Sequence, residues 1–120
     1  MVGFLANAVP VAALAAGGSG GPAGCSEAET TSAMRACESA RFQAAGRRMD
    51  AAYAGLKKRL GPRQKGALEE AQRAFLRYRE ANAEYYRRSA EGGTLAPLLA
   101  TTTLADMTEA RAAELEKPSP

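Results

Sequence analysis

The sequence predicts an all-α fold: an antiparallel helical hairpin closed by a third helix, in one small single domain. Three observations carry this expectation. Apolar residues recur at steps of three and four along two long stretches, Phe42 to Leu60 and Leu68 to Asn82, and no stretch alternates with the period of two that a strand requires. Gly61-Pro62 and Gly92-Gly93 punctuate the charged part of the chain into three segments. Alanine, the strongest helix former, is the commonest residue, so the core is modest.

Residues 1–26 carry no charged side chain, whereas every Lys, Arg, Asp and Glu lies beyond them. The apolar run Phe4–Ala16 is too short to cross a bilayer of about 30 Å as a helix, and it fits the apolar region of a secretory signal peptide. Ala13-Leu14-Ala15 offers a small-x-small cleavage pattern, although Met1-Val2-Gly3 lacks the usual basic residue. The alternative is an Ala/Gly-rich leader on a cytosolic protein. Gly17–Gly24 reads as a flexible linker. The expected organisation is therefore 1–24 signal peptide and Gly-rich linker, 25–116 helical domain, and 117–120 tail, in a protein that is periplasmic or secreted.

The first helix is expected from about Thr31 to Leu60, with Thr30 as N-cap; Ser26-Glu27-Ala28-Glu29 offers a rival capping box. Phe42, Gly46, Met49, Tyr53, Leu56 and Leu60 form its seam. Leu60-Gly61-Pro62 ends it, with Gly as the C′ residue and Pro in the first turn of the next helix. The second helix is expected from about Pro62 to Ala90, with Leu68, Ala71, Phe75, Tyr78 and Asn82 facing a partner. The third covers roughly Leu95–Glu116, capped by Thr94 and anchored by Leu98, Met107 and Leu115, with a possible break at the β-branched run Thr101-Thr102-Thr103. Met49, Tyr53, Leu56, Leu68, Phe75, Tyr78, Leu104 and Leu115 are the expected core.

The composition excludes several chemistries. With no histidine, Ser-His-Asp and Cys-His sites are impossible, and two cysteines alone make no Cys₄ zinc site. No P-loop is present, so neither a metal nor a small-molecule cofactor is expected. The basic pairs Arg47-Arg48, Lys57-Lys58 and Arg87-Arg88 are interleaved with acids at a net charge of only +3, which reads as solvated helix faces and not as a nucleic-acid surface. Thirteen acidic residues exist, but none sits in an apolar run that would raise its pKa for glycoside cleavage, so no enzyme is expected. Cys25 has two uses: a disulfide to Cys37, as expected for an exported chain of this size, or lipidation after the box Pro22-Ala23-Gly24, which would make the protein a membrane-anchored lipoprotein.

The segment Ala71-Gln72-Arg73-Ala74-Phe75-Leu76-Arg77-Tyr78-Arg79-Glu80 resembles the AQRxWxxYRD motif of the lysozyme-inhibitor LprI-like N-terminal domain family, small exported bacterial helical domains. Cys25-x2-Ala28-x-Thr30-x3-Met34-x2-Cys37 looks like the family's opening, and Met49-Asp50-x2-Tyr53-x2-Leu56-x3-Leu60 looks like its Leu-Asn-x2-Tyr-x2-Leu-x3-Leu. Gly92-Gly93-Thr94 resembles its GGS turn, and Leu104-x3-Thr108-x2-Arg111-x3-Leu115 its closing helix. The resemblance spans about Cys25 to Leu115. Phe75 stands for the family's Trp, Glu80 for its Asp, Asp50 for its Asn, and Gly46 where it tends to have Asp. The family's third and fourth cysteines would fall at Ala83 and Thr103. Their joint absence is what the resemblance implies if those two pair with each other and leave Cys25–Cys37 as an independent bridge.

Gln72, Phe75 and Arg79 share one helical face. One reading makes Arg79 a polar clamp over the hairpin seam, with Asp50 or backbone carbonyls as its partner. The other makes Gln72, Arg73 and Arg79 a ligand surface. Tyr85, Tyr86, Arg87 and Arg88 form a second binding candidate, since Tyr and Arg are favoured at interfaces. The resemblance implies a non-enzymatic exported binding module that engages lysozyme or another envelope protein. A structural or envelope-stress accessory without inhibitor activity is the alternative. A positively charged chain would not be steered toward a basic lysozyme, so inhibition would rest on a local plug, for which Glu91-Gly92-Gly93-Thr94 is the loop candidate.

Overall fold

The computed structural model describes Cys25 and residues 27–117. The expected signal peptide, linker and final residues of the tail lie outside these. Three helices follow in order: α1 (Thr31–Lys57), α2 (Pro62–Ser89) and α3 (Leu95–Glu116). No strand occurs among the described residues. The fold is a small all-α domain. α3 packs against both earlier helices, more extensively against α1. α1 and α2 meet through side chains near the Gly61-Pro62 joint, where Lys57 pairs with Glu69 at 3.0 Å and Gln72 reaches Met49.

Helix starts and stops follow local chemistry. The Thr30 hydroxyl accepts the Ala33 amide at 3.0 Å, which satisfies one of the first-turn donors of α1. Residues 27–30 are turn and bend, so the chain folds back beside α1. That reversal brings Cys25 to a Cα distance of 5.4 Å from Cys37, and the two form a disulfide. A straight helix from residue 26 would have held them about 18 Å apart. α1 ends at Lys57 and not at Leu60, because the chain tightens into 3₁₀-type hydrogen bonds from Arg59 to Leu56 and from Leu60 to Lys57. Gly61 (φ −75°, ψ 173°) is extended and precedes α2 as its N-cap; it does not adopt the left-handed C′ conformation. Pro62 opens α2 as expected. Among the described residues, left-handed backbone is confined to Gly92 (φ +94°), in the turn between α2 and α3.

Two expectations for α3 require correction. Thr94 is in the αR region and its side chain makes no capping bond. The helix also runs unbroken through Thr101–Thr103, because the Thr103 hydroxyl donates to the Leu99 carbonyl at 2.8 Å and is satisfied within the helix.

The core is small. Met49, Ala112 and Leu115 form its centre, and Ala52, Tyr53, Leu56, Leu68, Phe75 and Leu76 pack against it half-buried. Leu104 is half-buried too. Above this centre the α1–α3 interface is made of two facing stripes, Glu38-Arg41-Ala45-Met49 and Ala105-Thr108-Ala112-Leu115. Ala105 and Ala112 have no exposed surface. Their small side chains allow the two helices to approach closely. Tyr78 is the clear departure from the expected core: it is 60% exposed. α2 is rotated from the predicted seam so that Leu68, Gln72, Phe75, Leu76, Arg79 and Ala83 turn inward. The polar Gln72 and Arg79 find partners inside, which lets Ala71 and Tyr78 face out.

Candidate functional site

Three polar constellations hold the helices together. On α1, Arg41 has only 3% of its side chain exposed and binds three carboxylates: Glu38 at 2.7 Å, Asp106 at 2.6 Å and Glu109 at 2.8 Å. Burial disfavours its charge, but the bonds to Asp106 and Glu38 and the field of Glu109 outweigh that cost and raise its pKa. In the middle of the domain, Gln72 spans all three helices. Its Nε2 donates to the Met49 sulfur at 3.4 Å, and its Oε1 accepts from Arg111 Nε at 3.0 Å. The third constellation is Arg79, which donates to the Thr108 hydroxyl at 3.3 Å and to Glu80 at 2.8 Å. Its guanidinium lies 5.3 Å from the Phe42 ring centroid and 6.0 Å from that of Phe75, while Arg111 lies 5.6 Å from Phe75. Phe75 thus offers its ring to two arginines, one from its own helix and one from α3. Every deeply buried side-chain nitrogen and oxygen among the described residues has a partner.

The motif residues therefore separate. Gln72 is buried and bonds both neighbouring helices, whereas Arg79, largely buried, gives one nitrogen to Thr108 of α3 and the others to Glu80 of its own helix. Asp50 is exposed and does not meet Arg79; Thr108 takes the place expected of it. Arg73 is exposed and pairs with Glu70 of its own helix. Sequence reasoning missed Arg41 and Arg111. Arg111 was visible in the closing-helix motif, and Arg41 sits one turn before Ala45 on the buried stripe.

The exposed candidates cluster at the C-terminal end of α2. Tyr85 is 64% exposed and Tyr86 42%, with their rings in edge contact at 5.0 Å. Glu84 receives Arg87 at 2.6 Å and Arg88 at 2.6 Å. Hydrogen bonds from Arg87 and then Arg88 lower the Glu84 pKa to about 2, and the same pairing raises that of Arg87. Exposed Leu95 and the Glu91–Thr94 turn adjoin this cluster in sequence. Among the described residues, no group of Cys, Asp and Glu is arranged to hold a metal, and no helix is long and apolar enough to cross a membrane.

The chain is a small helical domain stapled by one disulfide, with an arginine-laced interior and an exposed Tyr/Arg end. The family model for the lysozyme inhibitor LprI matches residues 23–115, most of the chain, and the chain belongs to that family. It is an inhibitor family and not an enzyme family. The chain is also similar to an uncharacterized protein of Rhizobium meliloti (strain 1021), with 39% identity over 69 residues, which are 58% of this chain and 44% of that relative. The match thus spans less than half of the relative's length. No solved structure matches.

Proposed function

We propose that this chain is an exported inhibitor that binds a lysozyme through the C-terminal end of α2 and the turn that follows it. Membership of an inhibitor family supports this reading. The observation that carries it is the exposed Tyr85-Tyr86-Arg87-Arg88 cluster, since Gln72 and Arg79 are consumed in the interior. Glycosidase clefts hold paired carboxylates. The Nε of Arg88 is held by Glu84, but its two terminal nitrogens make no hydrogen bond among the described residues and its side chain is 67% exposed, so they can reach such a group, and Tyr85 supplies rigid contact area nearby in sequence. At a net charge of +3, long-range attraction to a basic lysozyme does not contribute, so affinity rests on short-range fit.

Export follows the same reading. A disulfide fits an oxidising compartment, and with its sulfur bonded to Cys37, Cys25 has no thiol left for lipid. A periplasmic or secreted protein released from the apolar leader around Phe4–Ala16 is the localisation we adopt, not a lipoprotein.

The test is lysozyme-driven clearing of a cell-wall suspension. The oxidised protein should slow clearing in proportion to dose, and Tyr85→Ala or Arg88→Ala should weaken inhibition by about tenfold or more, as for a hot-spot residue. Undiminished clearing at every dose of folded protein would overturn the inhibitor reading and leave an envelope accessory in its place.

A further inference from the structure

The outward face of α2 carries a stripe with the spacing of a helix–helix seam. Ala67, Ala71, Ala74, Tyr78, Ala81 and Tyr85 follow at steps of 4, 3, 4, 3 and 4, and all six are exposed. Neither α1 nor α3 covers this stripe. Along one flank run Arg63, Glu70, Arg77 and Glu84, seven residues apart and alternating in sign. Arg63 and Arg77 have no ion-pair partner among the described residues.

We propose that this face is a homodimer interface in which α2 packs antiparallel against α2 of a second copy, about a two-fold axis between Arg73 and Ala74. The alternation of charge selects the occupant and the register. In an antiparallel pair centred there, Arg77 faces the second copy's Glu70 and Arg63 its Glu84, and the symmetry repeats both contacts, giving four opposite-charge pairs. Shifting the centre to Arg77 instead sets Arg77 against Arg77 and Glu70 against Glu84.

The sizes of the seam residues agree with the same register. Ala71 and Ala74 meet at the centre, where small side chains permit close approach. About that axis Tyr78 falls opposite Glu69, two residues from both Ala67 and Ala71 of the second copy's seam, so the large ring packs over small side chains. Tyr85 falls over the start of the second copy's α2, where Gly61, Pro62, Arg63, Gln64 and Ala67 line a shallow surface depression. The overlap, Pro62 to Tyr85, is about 36 Å long. One helix pair of that length is smaller than a standard interface, so association is weak and depends on protein concentration. Glu70 and Glu84 also contact arginines of their own helix, but those pairs are exposed and worth little, so exchanging partners costs little.

Sedimentation velocity of the oxidised protein over a wide concentration range tests this. The wild type should pass from monomer to dimer as concentration rises. Arg77→Glu and Glu70→Arg should each raise the concentration needed by at least tenfold, with unchanged helical circular dichroism. An equimolar mixture of the two variants should associate again, because each then offers the charge the other lacks at both contact points. If either charge variant loses its helical signal, Tyr78→Ser takes its place and should likewise prevent association. A monomer at every concentration, a dimer indifferent to the folded variants, or a mixture that does not re-associate would overturn the proposal. Tyr85 belongs to both this seam and the surface assigned to lysozyme, but Arg77 lies outside the latter; assayed at concentrations where the wild type is monomeric, Arg77→Glu should inhibit as the wild type does, so the two readings fail separately.

Discussion

The guanidinium of Arg79 lies over the ring of Phe42, 5.3 Å from its centroid, and so ties α2 to α1. The same side chain bonds Thr108 of α3, which makes one residue a contact to both other helices. Arg77, two residues earlier, points to solvent.

Arg79→Met should therefore lower stability by roughly 1–3 kcal/mol, the combined scale of a partly desolvated cation–π contact and a hydrogen bond from a charged donor. Arg77→Met should change it by no more than about 0.5 kcal/mol. Urea titration at low protein concentration, where α2 is unpaired, measures both. Equal effects would reduce Arg79 to another solvated charge.

Arg41 is held more deeply than Arg79. Arg41→Met leaves Glu38, whose side chain is 8% exposed, as a buried carboxylate without its partner, beside Asp106 and Glu109. Breaking such a pair from one side costs about 3–5 kcal/mol, a large part of the stability of a domain this size. Thermal melting should show a loss of ten degrees or more, at about 4–8 °C per kcal/mol. A melting temperature within a few degrees of wild type would place this cluster at the surface in solution.

The helices and joints were legible because their signals are local: Thr30 as a cap, Pro62 in a first turn and glycines at the turn before α3 act through their own backbone. The faces were less so. Reading apolar residues as inward put Tyr78 in the core and passed over Glu38 and Arg41. A buried polar residue is stable only when its partners are in place, and besides nearby Glu38 and Met49, those of Arg41 and Gln72 lie 65 to 68 and 39 residues away on α3. No pattern within one helix reveals that. Gln72 and Arg79 illustrate the consequence for the site: their motif was visible, but whether they served packing or a ligand depended on where α3 lay.

Phe75 should be less costly to remove than a fully buried aromatic residue, since it is half-buried beside Arg79 and Arg111. Phe75→Ala should lose about 2–4 kcal/mol, below the upper range for sealed cores. Phe75→Trp should retain an aromatic ring beside the two arginines and fold. Denaturant midpoints of the two variants decide; an unfolded Trp variant would mean that α3 has closed the space.

The disulfide staples the segment before α1 to the helix's second turn and leaves the α3 interface untouched. Closing so short a loop is worth at most about 3 kcal/mol in the chain-entropy model. Cys37→Ser should accordingly lower the melting temperature while the domain still folds, and the reduced wild type should match it. Non-reducing peptide mapping of exported protein should return a Cys25–Cys37 peptide. An acylated Cys25 would refute the bridge.

Acid should loosen the C-terminal end of α2 through Glu84. Its carboxylate accepts from Arg87 and Arg88, and its pKa in the folded protein is about 2, below the ordinary value of 4.5. A carboxylate whose pKa is depressed on folding stabilises the folded state when ionised in both states. Its contribution is therefore complete above about pH 4.5 to 5 and is lost as pH falls through the folded value near 2. Glu69, Glu70 and Glu116 are also held low by their cationic partners and lose stabilisation in the same direction. Glu84→Gln should remove part of that acid sensitivity. Melting temperatures of wild type and variant should differ most near neutral pH and converge as pH approaches 2. Salt should narrow the gap at neutral pH, because the pairs are exposed. Parallel profiles at all pH values would show that Glu84 carries no paired charge in solution and that Arg87 and Arg88 stand unrestrained on the proposed lysozyme surface.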